Sequence, residues 1–287
     1  MNEKNMDEMI TPKRKIRMIV TDMDYTLLNK EKKISAVNRK AIKEAMEAGV
    51  HVVLATGRLF SSAVYYAKEL EISTPIIASN GAIIAESDLS RIYYQKTLPL
   101  EAGREMLKLC RERGLFCHLY TKDAIYTEKI VNISERYLEW NDRLNEADRI
   151  NIVLEPDLGT TLDREHRHVL KAVVVDKDER KIAGIREEIL KTGVVEVSQS
   201  LPDNIEVMDK EVNKGRAVEF LAKMYDVHPD EIMAIGDNEN DLPMIKFAGL
   251  GVAVGNAEQC LLDHADHVTA RYDEDGVAQV IYKYVLV

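Results

Sequence analysis

The sequence lacks the features of a membrane-spanning or secreted protein. No apolar run approaches the roughly 20 residues that a membrane-spanning helix needs. The first segment, MNEKNMDEMITPKRK, is charged and has no apolar centre, so we expect a flexible tail over residues 1–14 rather than a secretory signal. Three cysteines without CxxC spacing argue against a disulfide framework or a zinc site and predict reduced, buried thiols in a cytoplasmic protein.

Positive charge is also scarce. The 39 lysines and arginines are outnumbered by 49 aspartates and glutamates, which gives a formal net charge of −10, and they form no basic stripe. Phosphate backbones repel so acidic a chain, so we do not expect nucleic acid as a partner. The hydrophobic fraction of 46% is typical of a globular protein, and 287 residues are enough for two domains. No pattern predicts an oligomeric state.

Strand-like and helix-like stretches alternate along the chain. KIRMIVTD, VHVVLATG and PIIASNGA predict strands, and SAVNRKAIKEAMEAG and SSAVYYAKELEI predict the helices between them. After about residue 200, NIEVMD, IMAIGD and GLGVAVG predict further strands. This alternation predicts an α/β fold with a Rossmann-like core of parallel strands, helices on both faces and right-handed crossovers.

The middle of the chain keeps the α/β character but is richer in charge. We therefore expect residues 15–84 and 196–287 to form one catalytic core. Residues 85–195 are expected to form an inserted α/β cap domain, whose size of about 100 residues is ordinary for a domain.

Polar residues concentrate where the predicted strands end. Asp22 and Asp24 follow the first strand, and Asp237 ends IMAIGD. Ligands of open parallel sheets bind beyond these carboxyl ends, so we expect the polar residues to meet at one edge. The other members of this group are Thr56, Gly57, Arg58, Asn80, Lys214, Asn240 and Asp241.

The carboxylates in this group predict a metal site. Asp22, Asp24, Asp237 and Asp241 would repel one another unless one is neutral or a cation lies between them. Oxygen ligands favour a hard cation, and Mg²⁺ suits a site that also meets a phosphate. Four carboxylates with Mg²⁺ and Lys214 keep one negative charge, which suits a phosphoryl group only if one aspartate is protonated. We therefore expect a protonated Asp24 as general acid and an ionised Asp22 as the nucleophile that attacks phosphorus.

Four short motifs resemble those of a known family. DMDYT, ATGR, NKG and GDNEND, in this order at strand ends, resemble the motifs of the haloacid dehalogenase (HAD) superfamily of phosphotransferases. SNGA and the later insertion resemble its Cof-like branch of small-molecule (sugar) phosphatases with a large α/β cap. Taken singly, each motif could be a helix cap or a turn, but four in order over residues 15–287 favour the catalytic explanation.

The resemblance implies roles for the individual residues. Asp22 would form an aspartyl phosphate, and Asp24 would act as acid/base while its backbone carbonyl binds Mg²⁺. Asp22 and Asp237 would ligate Mg²⁺ through their side chains, with Asp241 supporting the metal-bound waters. The residues expected to hold the phosphoryl group or substrate are Thr56, Gly57, Arg58, Lys214 and Asn240, and those expected to support the site from behind are Thr26 and Asn80.

One position departs from the commonest family pattern. Tyr25 stands where that pattern has glycine, between the acid/base residue and Thr26. We expect no loss of chemistry from this change, but a narrower entrance to the site.

The sequence thus predicts a Mg²⁺-dependent phosphatase of small phosphorylated metabolites, with sugar phosphates as the first candidates. The same residues could serve a phosphosugar mutase or phosphotransferase of the same superfamily. A non-catalytic binding protein on this fold is a further alternative, opposed by the intact nucleophile, acid/base, lysine and metal aspartate. The physiological substrate depends on the cap, which carries no readable motif.

Overall fold

The computed structural model describes residues 14–286. All but the last residue of the predicted tail, and Val287, lie outside this range. The strands are β1 (Met18–Thr21), β2 (His51–Leu54), β3 (Ile76–Ala78), β4 (Ile83–Ala85), β5 (Ile92–Gln95), β6 (Phe116–Tyr120), β7 (Ala124–Thr127), β8 (Asn151–Leu154), β9 (Lys171–Val175), β10 (Val195–Ser198), β11 (Asn204–Asp209), β12 (Ile232–Gly236), β13 (Leu250–Ala253) and β14 (His267–Val268). The helices are α1 (Ala36–Glu47), α2 (Phe60–Glu69), α3 (Leu100–Arg113), α4 (Ile133–Asn141), α5 (Leu158–Glu165), α6 (Glu179–Leu190), α7 (Lys214–Met224), α8 (Leu242–Phe247), α9 (Gln259–Leu262) and α10 (Gly276–Tyr284).

Five parallel strands form the central sheet, in the order β14-β13-β12-β1-β2. Every residue of β1 is buried, as a central strand covered on both faces requires. Its side chains alternate, so that Ile19 packs in one apolar cluster with α1 and α10, while Met18 and Val20 pack in another with α7 and α8. The predicted Rossmann-like core with helices on both faces is therefore confirmed.

The predicted third strand joins this sheet only loosely. β3 meets the residue after β2 through a single parallel bridge between Ala55 and Ile77. It pairs more extensively with β4, which pairs in turn with β5, and both of these pairings are antiparallel. No helix among residues 14–286 is long and apolar enough to cross a bilayer.

Six strands from the middle of the chain form a second sheet, in the order β10-β11-β9-β6-β7-β8. One face packs on α3, α5 and α6 through an apolar cluster that includes Ala172, Val174 and Val207. The opposite face turns toward the core, where Leu59 packs among residues that include Val173 and Val175. The two sheets thus share an interface rather than lying apart.

Two strands lie in a different sheet from the one expected. β11, expected among the core strands, pairs antiparallel with β9 and β10 in the second sheet. β5, expected in the cap, pairs with β4 beside the core. Both are short apolar segments between turns, and local pattern alone does not identify the partner of such a strand. The division of the chain into core and cap at residues 85 and 195 stays a prediction.

The expected environment of the thiols is mostly observed. All three cysteines are free. Cys110 and Cys117 are buried, while Cys260 is only half-buried, at the start of the short helix α9.

Candidate active site

The predicted site residues do come together beyond the carboxyl ends of the central strands. Asp22 follows β1, and its amide donates to the carbonyl of Ile235 at 2.9 Å. Thr56 follows β2, and its amide donates to the carbonyl of Ile77 at 2.9 Å. Asp237 follows β12 directly. Because the hydrogen bonds of the sheet extend to Asp22 and Thr56, the backbone that carries these side chains is held in place.

Three buried carboxylates form the centre of the site. Asp22, Asp237 and Asp241 each place one oxygen within 4.8 Å of the others. Lys214 donates to Asp22 at 2.6 Å and to Asp241 at 2.5 Å, and its side chain is 0% exposed. Thr26 donates to Asp237 at 2.8 Å. Three carboxylates against one ammonium group make a buried negative charge, which is costly unless a proton or a cation balances it.

Burial and mutual repulsion raise the proton affinity of this cluster. Burial, opposed by Lys214 and assisted by Asp241, raises the pKa of Asp22 from 3.8 to about 7. Burial and the charges of Asp22 and Asp241 raise the pKa of Asp237 well above its usual range. Burial alone would lower the pKa of Lys214, but Asp22 and Asp241 outweigh it and raise that pKa. Buried carboxylate oxygens that repel one another are suitable ligands for a hard divalent cation.

A short turn holds Asp241 in this cluster. Its second carboxylate oxygen accepts hydrogen bonds from the amides of Asp237 at 3.0 Å and Asn238 at 3.1 Å. Gly236 allows this close approach, since a Cβ there would lie 2.6 Å from the Asp241 side chain. Asp241 therefore fixes both the loop after β12 and the ammonium group of Lys214.

Asp24 is not one of the three clustered carboxylates and is held instead by two cations. Arg58 contacts both of its carboxylate oxygens, at 2.6 and 2.7 Å, and Lys32 contacts one at 2.8 Å. Burial would raise the pKa of Asp24, but the charges and hydrogen bonds of Arg58 and Lys32 outweigh it and hold the pKa well below its usual range. Without a metal ion these directions favour an ionised Asp24 and a protonated Asp22, whereas the opposite is expected for the site with Mg²⁺ bound, which stays a prediction. The ionised form of Asp24 is favoured by its pairing with cations, which the motif does not reveal.

Aromatic rings hold Arg58 in place. Its guanidinium group lies 5.1 Å from the ring centre of Tyr66 and 5.6 Å from that of Trp140. The two rings are nearly parallel, with centres 6.0 Å apart. Trp140 belongs to α4, in the middle part of the chain, so this part of the chain contributes to the position of Arg58 and, through it, of Asp24.

The Thr56–Gly57 loop packs closely against the side chain of Asn80. The Thr56 hydroxyl accepts from the Arg58 amide at 3.1 Å, and the Asn80 amide donates to the Thr56 carbonyl at 3.0 Å. A Cβ on Gly57 would lie 2.9 Å from the side-chain oxygen of Asn80, which itself accepts from Asn240 at 3.1 Å. Among residues 14–286, the Gly57 amide has no hydrogen-bond acceptor, so it is available to a ligand.

A cavity of about 490 Å³ opens over these residues, a volume that suits a small metabolite. Both parts of the chain line it. From the predicted core, the lining includes Asp22, Asp24, Thr56, Gly57, Arg58, Glu206, Asp237 and Asn240; from the predicted cap, it includes Tyr120, Tyr137, Trp140 and Lys171. Four predicted residues, Thr26, Asn80, Lys214 and Asp241, lie buried behind the wall instead.

The backbone at Tyr25 explains the family glycine at this position. Tyr25 has a φ of 58°, in the left-handed region that glycine adopts most readily. Its ring lies at the cavity, edge-on to Tyr272 at 5.7 Å and 4.4 Å from the ammonium group of Lys32. Tyr25 thus lines the cavity, and the narrower entrance expected from it stays a prediction.

Sequence reasoning missed several charged residues of the cavity lining, among them Lys32, Lys171 and Glu206. Lys171 and Glu206 lie within strands that are otherwise buried and largely apolar, β9 and β11. A charged side chain inside such a strand requires a partner, and that signal could have identified both residues. Lys32 lies on a polar turn and carries no comparable signal.

Comparisons with known proteins agree with this geometry. A family model described as haloacid dehalogenase-like hydrolase matches residues 19–281. The 5-amino-6-(5-phospho-D-ribitylamino)uracil phosphatase YcsE of Bacillus subtilis is 32% identical over 273 residues, covering 94% of this chain and 96% of the relative. A more distant relative, the pyridoxal phosphate phosphatase YbhA of Escherichia coli, is 24% identical, covering 94% and 99%. The crystal structure of a haloacid dehalogenase-like hydrolase from Bacteroides thetaiotaomicron matches with a TM-score of 0.79 at 32% identity, covering 94% and 99%.

A Rossmann-like sheet with buried carboxylates at its carboxyl edge and a second α/β sheet beside it defines a hydrolase of the haloacid dehalogenase type. The family model spans most of the chain, and the chain therefore belongs to the haloacid dehalogenase-like hydrolases. The predicted superfamily and the predicted class of enzyme, a phosphatase, are both confirmed.

Proposed function

We propose that this protein is a Mg²⁺-dependent phosphatase that hydrolyses small phosphorylated metabolites through an aspartyl phosphate on Asp22. One observation carries the proposal. Asp22 lies at the wall of the cavity, in contact with Lys214 and close to Asp237, while Asp24 lies on the same wall beside Arg58. A nucleophile and an acid/base residue thus face one space of the right size for a small substrate.

The residues that would hold Mg²⁺ are Asp22 and Asp237 through their side chains and, by resemblance to the family, Asp24 through its carbonyl. Asp241 lies within reach of the same group. When bound, the ion supplies the positive charge that balances the carboxylates and the phosphoryl oxygens. The raised pKa values of Asp22 and Asp237 support this assignment, because such a cluster binds a proton or a cation.

Asp22 carries out the transfer in this proposal. Its carboxylate oxygen attacks phosphorus, so a bond from Asp22 to phosphorus forms while the bond from phosphorus to the leaving oxygen breaks. Lys214 keeps the carboxylate in place through its hydrogen bond at 2.6 Å. Attack of water on the aspartyl phosphate then releases inorganic phosphate and restores Asp22.

Asp24 moves the protons. It gives a proton to the leaving oxygen and later takes one from the attacking water. Because Arg58 and Lys32 hold Asp24 ionised, these ion pairs must loosen before it can carry a proton. A phosphoryl group in the cavity provides the competitor, since its oxygens attract the same two cations.

The phosphoryl group would be held by the residues around the Thr56 loop. The free amide of Gly57, the hydroxyl of Thr56, the side chain of Asn240 and the cations of Arg58 and Lys214 lie at or just behind the cavity wall. Donors fixed by the sheet before the substrate arrives stabilise the charge that develops during transfer.

The substrate class rests on the cavity and the relatives. The two relatives named above act on different phosphorylated small molecules, which supports small phosphorylated metabolites in general. Sugar phosphates remain our first candidates. We also propose that residues 85–195 form the body of the cap, with β11 added to its sheet and β5 lying beside the core. We further propose that the protein works in the cytoplasm without a nucleic-acid or membrane partner.

A phosphate-release screen tests this function. Purified protein is incubated with Mg²⁺ and a panel of phosphorylated metabolites, with Asp22→Asn as the blank and Asp88→Asn, on an exposed turn between β4 and β5, as the matched control. We expect phosphate release from several sugar phosphates with the wild type and the control, and none with Asp22→Asn. Conversion of one sugar phosphate into its positional isomer with little free phosphate would instead establish the mutase.

A further inference from the structure

A buried ion pair crosses the interface between the second sheet and the phosphate-binding loop. Lys171 on β9 and Glu206 on β11 lie 2.5 Å apart, with side chains 2% and 6% exposed. Both belong to the sheet face that turns toward the core, since their strand neighbours Ala172 and Val207 pack on the opposite face. Buried pairs are rare because both charges lose their hydration, so this pair needs an explanation.

The ammonium group of Lys171 reaches the loop itself. It donates to the carbonyl of Gly57 at 2.6 Å, across 114 residues of sequence. It donates also to Glu206, and its remaining side faces the ring of Tyr120 at 4.9 Å. The ammonium group therefore has two hydrogen-bond acceptors and one neighbouring aromatic ring.

Glu206 connects Lys171 to the turn that carries Asn80. One of its oxygens accepts from Lys171 and from the side chain of Asn80 at 2.6 Å, and the other accepts from Ser200 at 3.1 Å. Asn80 accepts in turn from Asn240. The pair thus fixes the Gly57 carbonyl on one side and the Asn80–Asn240 contact on the other.

An apolar contact would stabilise this interface at least as well. Replacing a buried ion pair with packed apolar side chains is often neutral or stabilising. What apolar side chains cannot supply is a donor to the Gly57 carbonyl. Gly57 itself lines the cavity. A rotation of the peptide plane between Gly57 and Arg58 would also move the amide of Arg58, which donates to the Thr56 hydroxyl.

We propose that Lys171, balanced by Glu206, is a positioning residue that sets the Thr56–Gly57 loop in its phosphate-binding arrangement when the second sheet lies against the core. The inference rests on the proposed function, because it assigns the loop to the phosphoryl group. Lys171 acts through the Gly57 peptide and is not itself a catalytic residue.

The test separates this role from simple stabilisation of the fold. Lys171→Met leaves the Glu206 charge buried alone and is expected to lower the thermal midpoint. The double variant Lys171→Met/Glu206→Gln removes both charges, so the midpoint should return close to that of the wild type. The donor to Gly57 is missing in both. Lys96→Met serves as the matched control, because it breaks an exposed ion pair with Glu211 and exposed pairs contribute little.

With p-nitrophenyl phosphate and Mg²⁺, we expect kcat/KM of the double variant to fall about 10- to 100-fold, the range typical of a misplaced binding group. The control should keep wild-type kcat/KM. Recovery of wild-type kcat/KM together with stability in the double variant would overturn the proposal, since the pair would then only balance charge.

A second measurement does not depend on activity. Hydrogen exchange of the peptide covering residues 56–60 should be faster in the double variant than in the wild type and in Lys96→Met. Unchanged exchange there overturns the positioning role. If the wild type releases no phosphate from p-nitrophenyl phosphate, the proposed function fails, while hydrogen exchange still decides whether Lys171 orders the loop.

Discussion

Replacing Asp22 or Asp24 by asparagine should change the stability of the metal-free protein in opposite directions, although the two residues are close in sequence. Asp22 lies in a carboxylate cluster with one cation, and burial raises its pKa from 3.8 to about 7. Asp24 is paired with Arg58 and Lys32, which hold its pKa below the usual range after outweighing burial. The ionised form of Asp22 therefore destabilises the metal-free folded protein, whereas the ionised form of Asp24 stabilises it.

The magnitude for Asp22 follows from its pKa. A rise from 3.8 to about 7 corresponds to at most about 4 kcal/mol, at about 1.4 kcal/mol for each pH unit. Because the pKa is raised in the folded state, this contribution to stability is fully present below about pH 4 and lost as the pH rises through about 7. Asp22→Asn removes the charge but weakens the hydrogen bond from Lys214, worth about 1.5–3 kcal/mol. A net gain of at most about 1–2.5 kcal/mol at pH 8 remains.

Asp24→Asn should lose stability at the same pH. Its lowered pKa makes the ionised form favourable at any pH above the unfolded value, so the loss is the same at pH 5 and at pH 8. The cause is Arg58, which keeps its charge at 12% side-chain exposure without its carboxylate partner.

Urea denaturation in EDTA at pH 5 and pH 8 measures these effects, with Asp88→Asn as the control. The wild type should be less stable at pH 8 than at pH 5. Asp22→Asn should show a smaller difference, but not none, because the pKa of Asp237 is raised in the same direction. The reasoning is refuted if both variants shift stability in the same direction at pH 8, or if Asp22→Asn is the less stable protein there.

Three further predictions address the metal, the loop and the entrance. Mg²⁺ at about 100 times its dissociation constant should stabilise the wild type by about 2.7 kcal/mol in urea denaturation, and Asp237→Asn should lose most of this gain. Gly57→Ala should lower kcat/KM on p-nitrophenyl phosphate about tenfold or more, because its Cβ would lie 2.9 Å from the side-chain oxygen of Asn80 and displace the loop. The melting temperature should stay nearly unchanged. A wild-type kcat/KM would contradict the close approach of Gly57 to Asn80. Tyr25→Gly should relieve a left-handed conformation worth about 1 kcal/mol and leave kcat on p-nitrophenyl phosphate near the wild-type value, so a large loss of kcat would show that the ring takes part in the chemistry.

The central sheet and the place of the site could be predicted from the sequence because both depend on local pattern. Buried β-branched runs fix β1, β2 and β12, and polar residues that follow such strands must meet at one edge. Asp22, Thr56 and Asp237 lie where that rule places them. The backbone position of a motif at a strand end can therefore be predicted from the strand that precedes it.

The side-chain partners within the site could not be predicted in the same way. Arg58 is expected at the phosphate, but the motif does not reveal its pairing with Asp24. That pairing depends on the rings of Tyr66 and Trp140. Lys171 reaches Gly57 from 114 residues away. Such contacts depend on how the second sheet lies against the first, which short-range periodicity does not encode.

The sheet membership of β11 shows the same limit. Its sequence, NIEVMD, suits a buried strand in either sheet. Its pairing is settled by the antiparallel partners β9 and β10, which precede it along the chain. The glutamate at its third position, Glu206, distinguishes it from a core strand, because that charge needs the partner that β9 supplies.

The covalent intermediate on Asp22 is the central claim, and trapping it is the most direct test. Asp24→Asn, shown to be folded by its melting transition, is mixed with p-nitrophenyl phosphate and Mg²⁺, quenched in acid and digested for mass spectrometry. A good leaving group needs little help from an acid, whereas hydrolysis of the intermediate needs a base, whose contribution is about 10²–10⁴ in rate. The account predicts a burst of p-nitrophenol and one added phosphoryl group on the peptide that contains Asp22, absent from the double variant Asp22→Asn/Asp24→Asn. Turnover of the wild type without any burst or phosphorylated Asp22 peptide in Asp24→Asn would contradict it.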